Sequence, residues 1–181
     1  MRRVARQPRK ARKAAKANTI VVDVLIESEL WKQAKDAAAV VRRAIAAAAA
    51  ALSTPAAELA IVLSDDSAIR LLNRTWRGVD AATNVLSFPT TGAGGEIPVI
   101  GDIVLAYETI AAEARAERKP FADHVAHLAV HGFLHLLGYD HVRPADAATM
   151  EQLERDILLR LAIPDPYRKA AIRRHERRLR P

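Results

Sequence analysis

A chain of 181 residues, half of them apolar, with no cysteine and a formal charge of +7, is sized for one domain around one core. A disulfide framework is excluded, and any metal must be held by His, Asp or Glu. No apolar run approaches the roughly 18 residues of a membrane span, and the basic start has no apolar stretch behind it, so neither a span nor a secretory signal is expected.

In chain order, residues 1–18 come first, an arm with eight Arg or Lys and no acid. Its counterpart, residues 168–181, has seven bases against the single Glu176. What lies between, residues 19–167, holds 13 bases and 20 acids, so the folded part is expected to be acidic. Blocks of like charge repel and stay solvated, which predicts flexible arms. Nucleic acid is their commonest partner; plain solubilising tails and a targeting segment are the alternatives. The cytoplasm is the expected location, with an organelle as the alternative if residues 1–18 are a transit segment.

Residues 19–27 are dense in β-branched side chains and predict a first strand. Residues 29–52 read as one helix, with Trp31, Ala34, Ala38, Val41 and Ile45 at helical spacing and an alanine run over 46–51; Pro55 closes it. A short apolar strand over 59–63 leads to Ser64, Asp65 and Asp66, a helix start ahead of Ile69, Leu71 and Leu72. Residues 83–88 form a third strand ended by Pro89, 90–98 a glycine-bearing loop, 102–107 a fourth strand and 108–119 a polar helix. Pro120 opens an apolar, histidine-bearing helix through Leu137. The last helix starts near Pro144 and runs through Met150, Leu153, Ile157 and Leu161 to Pro164. The sum is an α+β fold: a single small domain with a roughly four-stranded mixed sheet, about five helices and charged flexible tails.

The chemistry lies in the histidines. His131 and His135 are four apart, so they leave one face of a helix a turn apart, as two ligands of one ion need. A continued helix would swing His141 about 240° away and ~9 Å along the axis. Gly138 is placed to stop the helix in a left-handed C-terminal turn and bring His141 back. The pattern HxxxHxxGxxH thus predicts a zincin-like metal helix, with His131, His135 and His141 facing one point and a fourth coordination position open. His127 would stretch the set over ~12 Å and is expected to pack or to support a ligand. His124 and His175 carry no usable signal. In metzincin proteases the residue after the first histidine is a glutamate base; here it is Gly132, so peptide hydrolysis is not expected. Met150 fits the apolar stripe of the last helix and reads as core.

The run His131-Gly-Phe-Leu-His-Leu-Leu-Gly-Tyr-Asp-His141, preceded by Thr83-Asn-Val-Leu-Ser-Phe-Pro89 and Gly101-Asp-Ile-Val and followed by Met150-Glu-x-Leu-Glu154, closely resembles the YbeY family of rRNA maturation endoribonucleases. Leu72-Asn73, Arg77-Gly78 and Asp165-Pro-Tyr167 extend the match, which runs from about Ser64 to Tyr167. The resemblance implies a zinc-dependent, single-strand-specific endoribonuclease that matures the 3′ end of 16S rRNA and serves ribosome quality control. Its partners would be RNA and the small ribosomal subunit, with no membrane and no small-molecule cofactor. It places one Zn2+ on His131, His135 and His141 and an active-site arginine on Arg77.

Family members usually carry lysines after that arginine, whereas this chain has Arg77-Gly-Val-Asp-Ala-Ala-Thr83, which weakens local phosphate attraction. Arg77 is the candidate for gripping the scissile phosphate, because a guanidinium matches it bidentately and stays charged. On the third strand Thr83, Val85 and Ser87 face one way and Asn84, Leu86 and Phe88 the other. Asn84 and Ser87 are the candidate RNA contacts, and they converge on one cleft only if the strand bends. The loop after Pro89 lacks a GK[ST] and is no phosphate cradle. Asp140 is expected to cap the turn or orient an imidazole rather than act as a base. A ribosome assembly factor with a structural zinc is the competing reading, favoured by the acidic folded part. Removing residues 1–18 is expected to lower RNA affinity and flatten its salt dependence by about 0.7 log units per lost phosphate contact, measured by titration at several salt concentrations.

Overall fold

The computed structural model describes residues 19–90 and 97–168; the arm 1–18, residues 91–96 of the glycine-bearing loop and the tail from 169 onward lie outside the described residues. Strand β1 (Ile20–Ile26) runs parallel to β2 (Ala57–Ser64), and β2 runs parallel to β4 (Val99–Ala106). Strand β3 (Val85–Pro89) lies antiparallel to β4 and forms one edge of a mixed sheet of order β1-β2-β4-β3. Five α-helices accompany it: α1 (Ala37–Ala51), α2 (Asp66–Arg77), α3 (Tyr107–Glu117), α4 (Phe121–Leu136) and α5 (Pro144–Arg160). No helix among the described residues is long and apolar enough to cross a membrane.

Alternation along the strands divides the core between the two faces of the sheet. Leu59, Ile61 and Leu63 of β2 and Ile103 and Leu105 of β4 join the large core with α1, α4 and α5. Val104 and Ala106, on the other face, join Leu86 and Ile69 of α2 in a smaller one. Helix α4 is the axis of the large core. Nearly every residue from His124 to Leu136 is buried, and His127, His131 and His135 form the half-buried stripe that remains. Four buried alanines on α1, Ala37, Ala44, Ala48 and Ala49, keep its core face narrow against α4.

The predicted helix over 29–52 is broken. A 3₁₀ turn at Glu29–Gln33 precedes α1, which starts only at Ala37. Trp31 causes the break: it is 2% exposed, its Nε1 donates to the Ser64 carbonyl at 2.8 Å, and its ring packs against Tyr107 and Phe121. A side chain drawn that deep fixes its backbone, and a continuous helix cannot satisfy both it and α1. The second and fourth strands are longer than predicted at their starts. Ala57 and Glu58 have little strand propensity of their own, but β1 and β4 supply the pairing.

Two glycines mark places where the layers touch. At Gly101, φ is +145° and an added Cβ would lie 2.3 Å from the Phe88 carbonyl oxygen. At Gly132, an added Cβ would meet Ile103 Cγ2 at 2.9 Å and Ser87 Oγ at 3.0 Å. The residue after the first metal-site histidine is therefore glycine because α4 rests directly on the sheet there. Gly132→Ala is expected to destabilise the fold by about 1–3 kcal/mol through overpacking, read as a lower urea midpoint with an unchanged slope.

Candidate metal centre

Helix α4 ends in a Schellman turn. The Gly138 N–H donates to the His135 carbonyl and the Tyr139 N–H to the Leu134 carbonyl, both at 3.1 Å, with Gly138 at φ +89°. The chain reverses there, and Asp140 holds the reversed segment by accepting the His141 N–H at 2.6 Å. The His141 ring comes within 5.5 Å of the His131 ring and 5.0 Å of the His135 ring, centre to centre. One nitrogen from each of the three histidines lies within 4.8 Å of the others, so the cluster can hold a metal ion.

The positions of the protons decide how these nitrogens behave. His131 donates from Nδ1 to Glu154 Oε1 at 2.7 Å, and His135 donates from Nδ1 to the Tyr139 carbonyl at 2.9 Å. In the neutral tautomer each imidazole has one N–H, so both Nε2 atoms carry lone pairs. Those two atoms stand 3.2 Å apart. Two acceptors so placed repel unless a cation lies between them. Two nitrogens each bound at 2.0–2.1 Å around a tetrahedral ion would be about 3.3 Å apart, so the donor set fits one. Burial, then the neighbouring His131 and His141, lowers the His135 pKa below the ordinary imidazole value and keeps its lone pair free at neutral pH.

Glu154 is the functional residue that the sequence reading did not single out. Its side chain is fully buried and accepts from three donors: His127 Nε2 at 2.9 Å, His131 Nδ1 at 2.7 Å and the Tyr167 hydroxyl. Burial disfavours its charge, but the hydrogen bonds from His127 and His131 and their attraction outweigh that cost and lower its pKa to about 2. Burial and the Glu154 charge push the Tyr167 phenol up, so it remains a donor. A signal was present: Glu154 lies four residues after the buried Met150 and three before the buried Ile157, inside the apolar stripe of α5. A carboxylate in such a stripe must be paired. His127 thus supports the centre from the far side of Glu154, and Met150 is core, 1% exposed.

The other candidates are placed differently. Arg77 lies on the last turn of α2, exposed, before Gly78 ends the helix at φ +70°. The loop beyond is tied back to α2: Arg70 donates to both carboxylate oxygens of Asp80 at 2.8 and 3.1 Å, and Asn73 Nδ2 donates to the Ala81 carbonyl at 2.8 Å. Strand β3 keeps its predicted alternation, with Val85 in the α4 core and Leu86 and Phe88 in the α2 core. Ser87, 8% exposed, donates its hydroxyl to the Gly132 carbonyl at 3.1 Å. Asn84 donates from Nδ2 to both oxygens of Glu113, at 3.1 and 2.9 Å, and His124 donates to the same carboxylate at 2.8 Å. The side chains of Asn84 and Ser87 therefore do not converge, and each binds a neighbouring helix.

Three imidazoles gathered at the capped end of a central helix, on an α+β sheet, define a domain whose histidine cluster can hold a metal ion. The sequence profile described as Endoribonuclease YbeY matches residues 25–162, and the chain belongs to that family. Relatives named Endoribonuclease YbeY include one from Methylocella silvestris, 52% identical over 82% of this chain and 86% of its own length. Another, from Rhodopseudomonas palustris, is 53% identical over 80% of this chain and 88% of its own. A third, from Nitrobacter winogradskyi, is 49% identical over 89% and 92%. Glu154→Gln retains one acceptor but turns an amide N–H toward the second imidazole donor. Metal affinity is expected to fall about 10- to 100-fold in a competitive chelator titration.

Proposed function

We propose that this chain is a zinc-dependent endoribonuclease that cuts single-stranded RNA and works in the cytoplasm on the 3′ end of small-subunit rRNA. The observation that carries the reading is the pair of facing Nε2 lone pairs, 3.2 Å apart, with both Nδ1 protons committed elsewhere. Membership of a family of endoribonucleases supports RNA as the substrate and phosphodiester cleavage as the reaction. Zinc suits three neutral imidazoles with no thiolate and no carboxylate among the ligands. A bound zinc ion supplies Lewis-acid polarisation of a phosphoryl oxygen and a lowered pKa for water.

The protein's own groups do the remaining work. Glu154 and the Tyr139 carbonyl hold the two imidazole rings in orientation and tautomer. Arg77, exposed and without an ion pair among the described residues, is the group for the scissile phosphate. Ser87 and Asn84 act by positioning, one fixing β3 on α4 and the other fixing it to α3. The acidic body of the chain favours the second reading, an assembly factor with a structural zinc. Against it, the described residues contribute three ligands, and a structural site is ordinarily closed by a fourth.

Purified protein is expected to cleave a single-stranded RNA oligomer and to stop when a chelator removes the metal. His141→Ala should lose both bound metal, by elemental analysis, and cleavage. Arg77→Ala should keep its metal while cleavage falls about 10²- to 10³-fold, the range for losing one group that stabilises developing charge. Cleavage that survives metal removal would sink the zinc assignment, and full activity in Arg77→Ala would release that residue from its role.

A further inference from the structure

We propose that Trp76 is a stacking platform for a base of single-stranded RNA, beside the phosphate held by Arg77. The inference rests on the endoribonuclease reading and adds how the chain grips its substrate.

The chain has two tryptophans, in opposite situations. Trp31 is 2% exposed with its N–H paired. Trp76 is 70% exposed. Position on the helix does not explain this. Trp76 follows the buried Ile69 by seven residues, which returns it to within about 20° of the same face of α2. The face is the core-facing one, but by its last turn α2 has reached β3, the edge of the sheet. There the indole meets only the Phe88 ring among described aromatic residues, at 6.2 Å and 66°, a contact that supports it without covering it.

The surroundings identify the occupant. Arg74 and Arg77 share the last turn with Trp76, and both are exposed. Leu71, also exposed, is five residues earlier and therefore about 140° around the helix, so these two do not merge into one apolar patch, and the exposed Val79 lies beyond the Gly78 that ends the helix. A protein partner would want a contiguous apolar surface. An exposed indole flanked by guanidinium groups is instead the arrangement that takes an unpaired base by stacking and its phosphates by charge. The platform is also tied to the metal centre. Phe88, under the indole, follows Ser87, which bonds Gly132 next to His131. In this proposal a single strand passes round the β3 edge from one to the other, while the bases of a duplex are already stacked and have no face to offer.

The two tryptophans make the test direct. Zinc-loaded protein is mixed with a single-stranded RNA oligomer and read before cleavage sets in, the oligomer shown intact on a gel, while tryptophan emission and binding anisotropy are followed together. Binding should quench the emission, and duplex RNA should not. Trp76→Phe should abolish the quench and keep affinity within about threefold, because a phenyl ring still stacks. Trp76→Ala should weaken single-strand binding about 5- to 100-fold. It should raise KM for cleavage in proportion and leave kcat and the unfolding midpoint near those of the unaltered chain. Binding with no change in emission, or undiminished affinity in Trp76→Ala, would overturn the platform and leave the nuclease reading intact. Emission that shifts to the blue with protein concentration alone would assign the indole to a second copy of the chain, which also overturns it. If the unaltered protein neither binds nor cuts RNA, the endoribonuclease reading fails first and this inference with it.

Discussion

Two imidazole protons organise the centre. With the Nδ1 proton of His131 fixed on Glu154 and that of His135 fixed on the Tyr139 carbonyl, the Nε2 atoms have no proton to share across their 3.2 Å separation. The pair is repulsive as it stands and attractive toward a cation. The two acceptors that impose this differ in kind. One is a buried carboxylate from α5, expensive to bury and stabilised by three donors. The other is a backbone carbonyl supplied by the same turn that brings His141 round. Removing either would free a ring to adopt the other tautomer and point a proton at the metal position.

The fold can be understood as the support for that arrangement. Helix α4 must lie close against the sheet for its histidine stripe to stand at the surface while the rest of it is buried. Gly132 provides the close approach, and the narrow alanine face of α1 provides it on another side. Strand β3 then serves as a junction between the two faces of the sheet. Ser87 bonds α4, Phe88 packs toward α2, and Asn84 just before the strand reaches α3. Its position at the sheet edge places metal-site and arginine-bearing helices on either side of a single strand.

Charge is handled locally as well as globally. The residues just after Arg77 include an acid, Asp80. Its carboxylate is taken up by Arg70, which leaves the neighbouring Arg77 free of it and pins the loop that follows α2. The acid nearest Arg77 along the chain is thus already paired with another arginine.

The sequence alone determined those features that depend on spacing along one element. His131 and His135 share a helix face because 3.6 residues make a turn, Gly138 ends that helix because it tolerates φ +89°, and the alternation in β3 follows from a period of two. Most element positions followed from the same periodicities. The family was legible too, since its motif is built from such local spacings. Tertiary structure alone decided what depends on elements distant in the chain. Trp31 broke a helix that propensity favoured because its indole bonds the Ser64 carbonyl at the end of β2. Glu154 and Tyr167 reached the histidines, and Ser87 and Asn84 were turned to neighbouring helices, through packing that no local period encodes. Trp76 makes the distinction plain: its helical phase assigns it to the core, and only the place where the sheet ends leaves it in water.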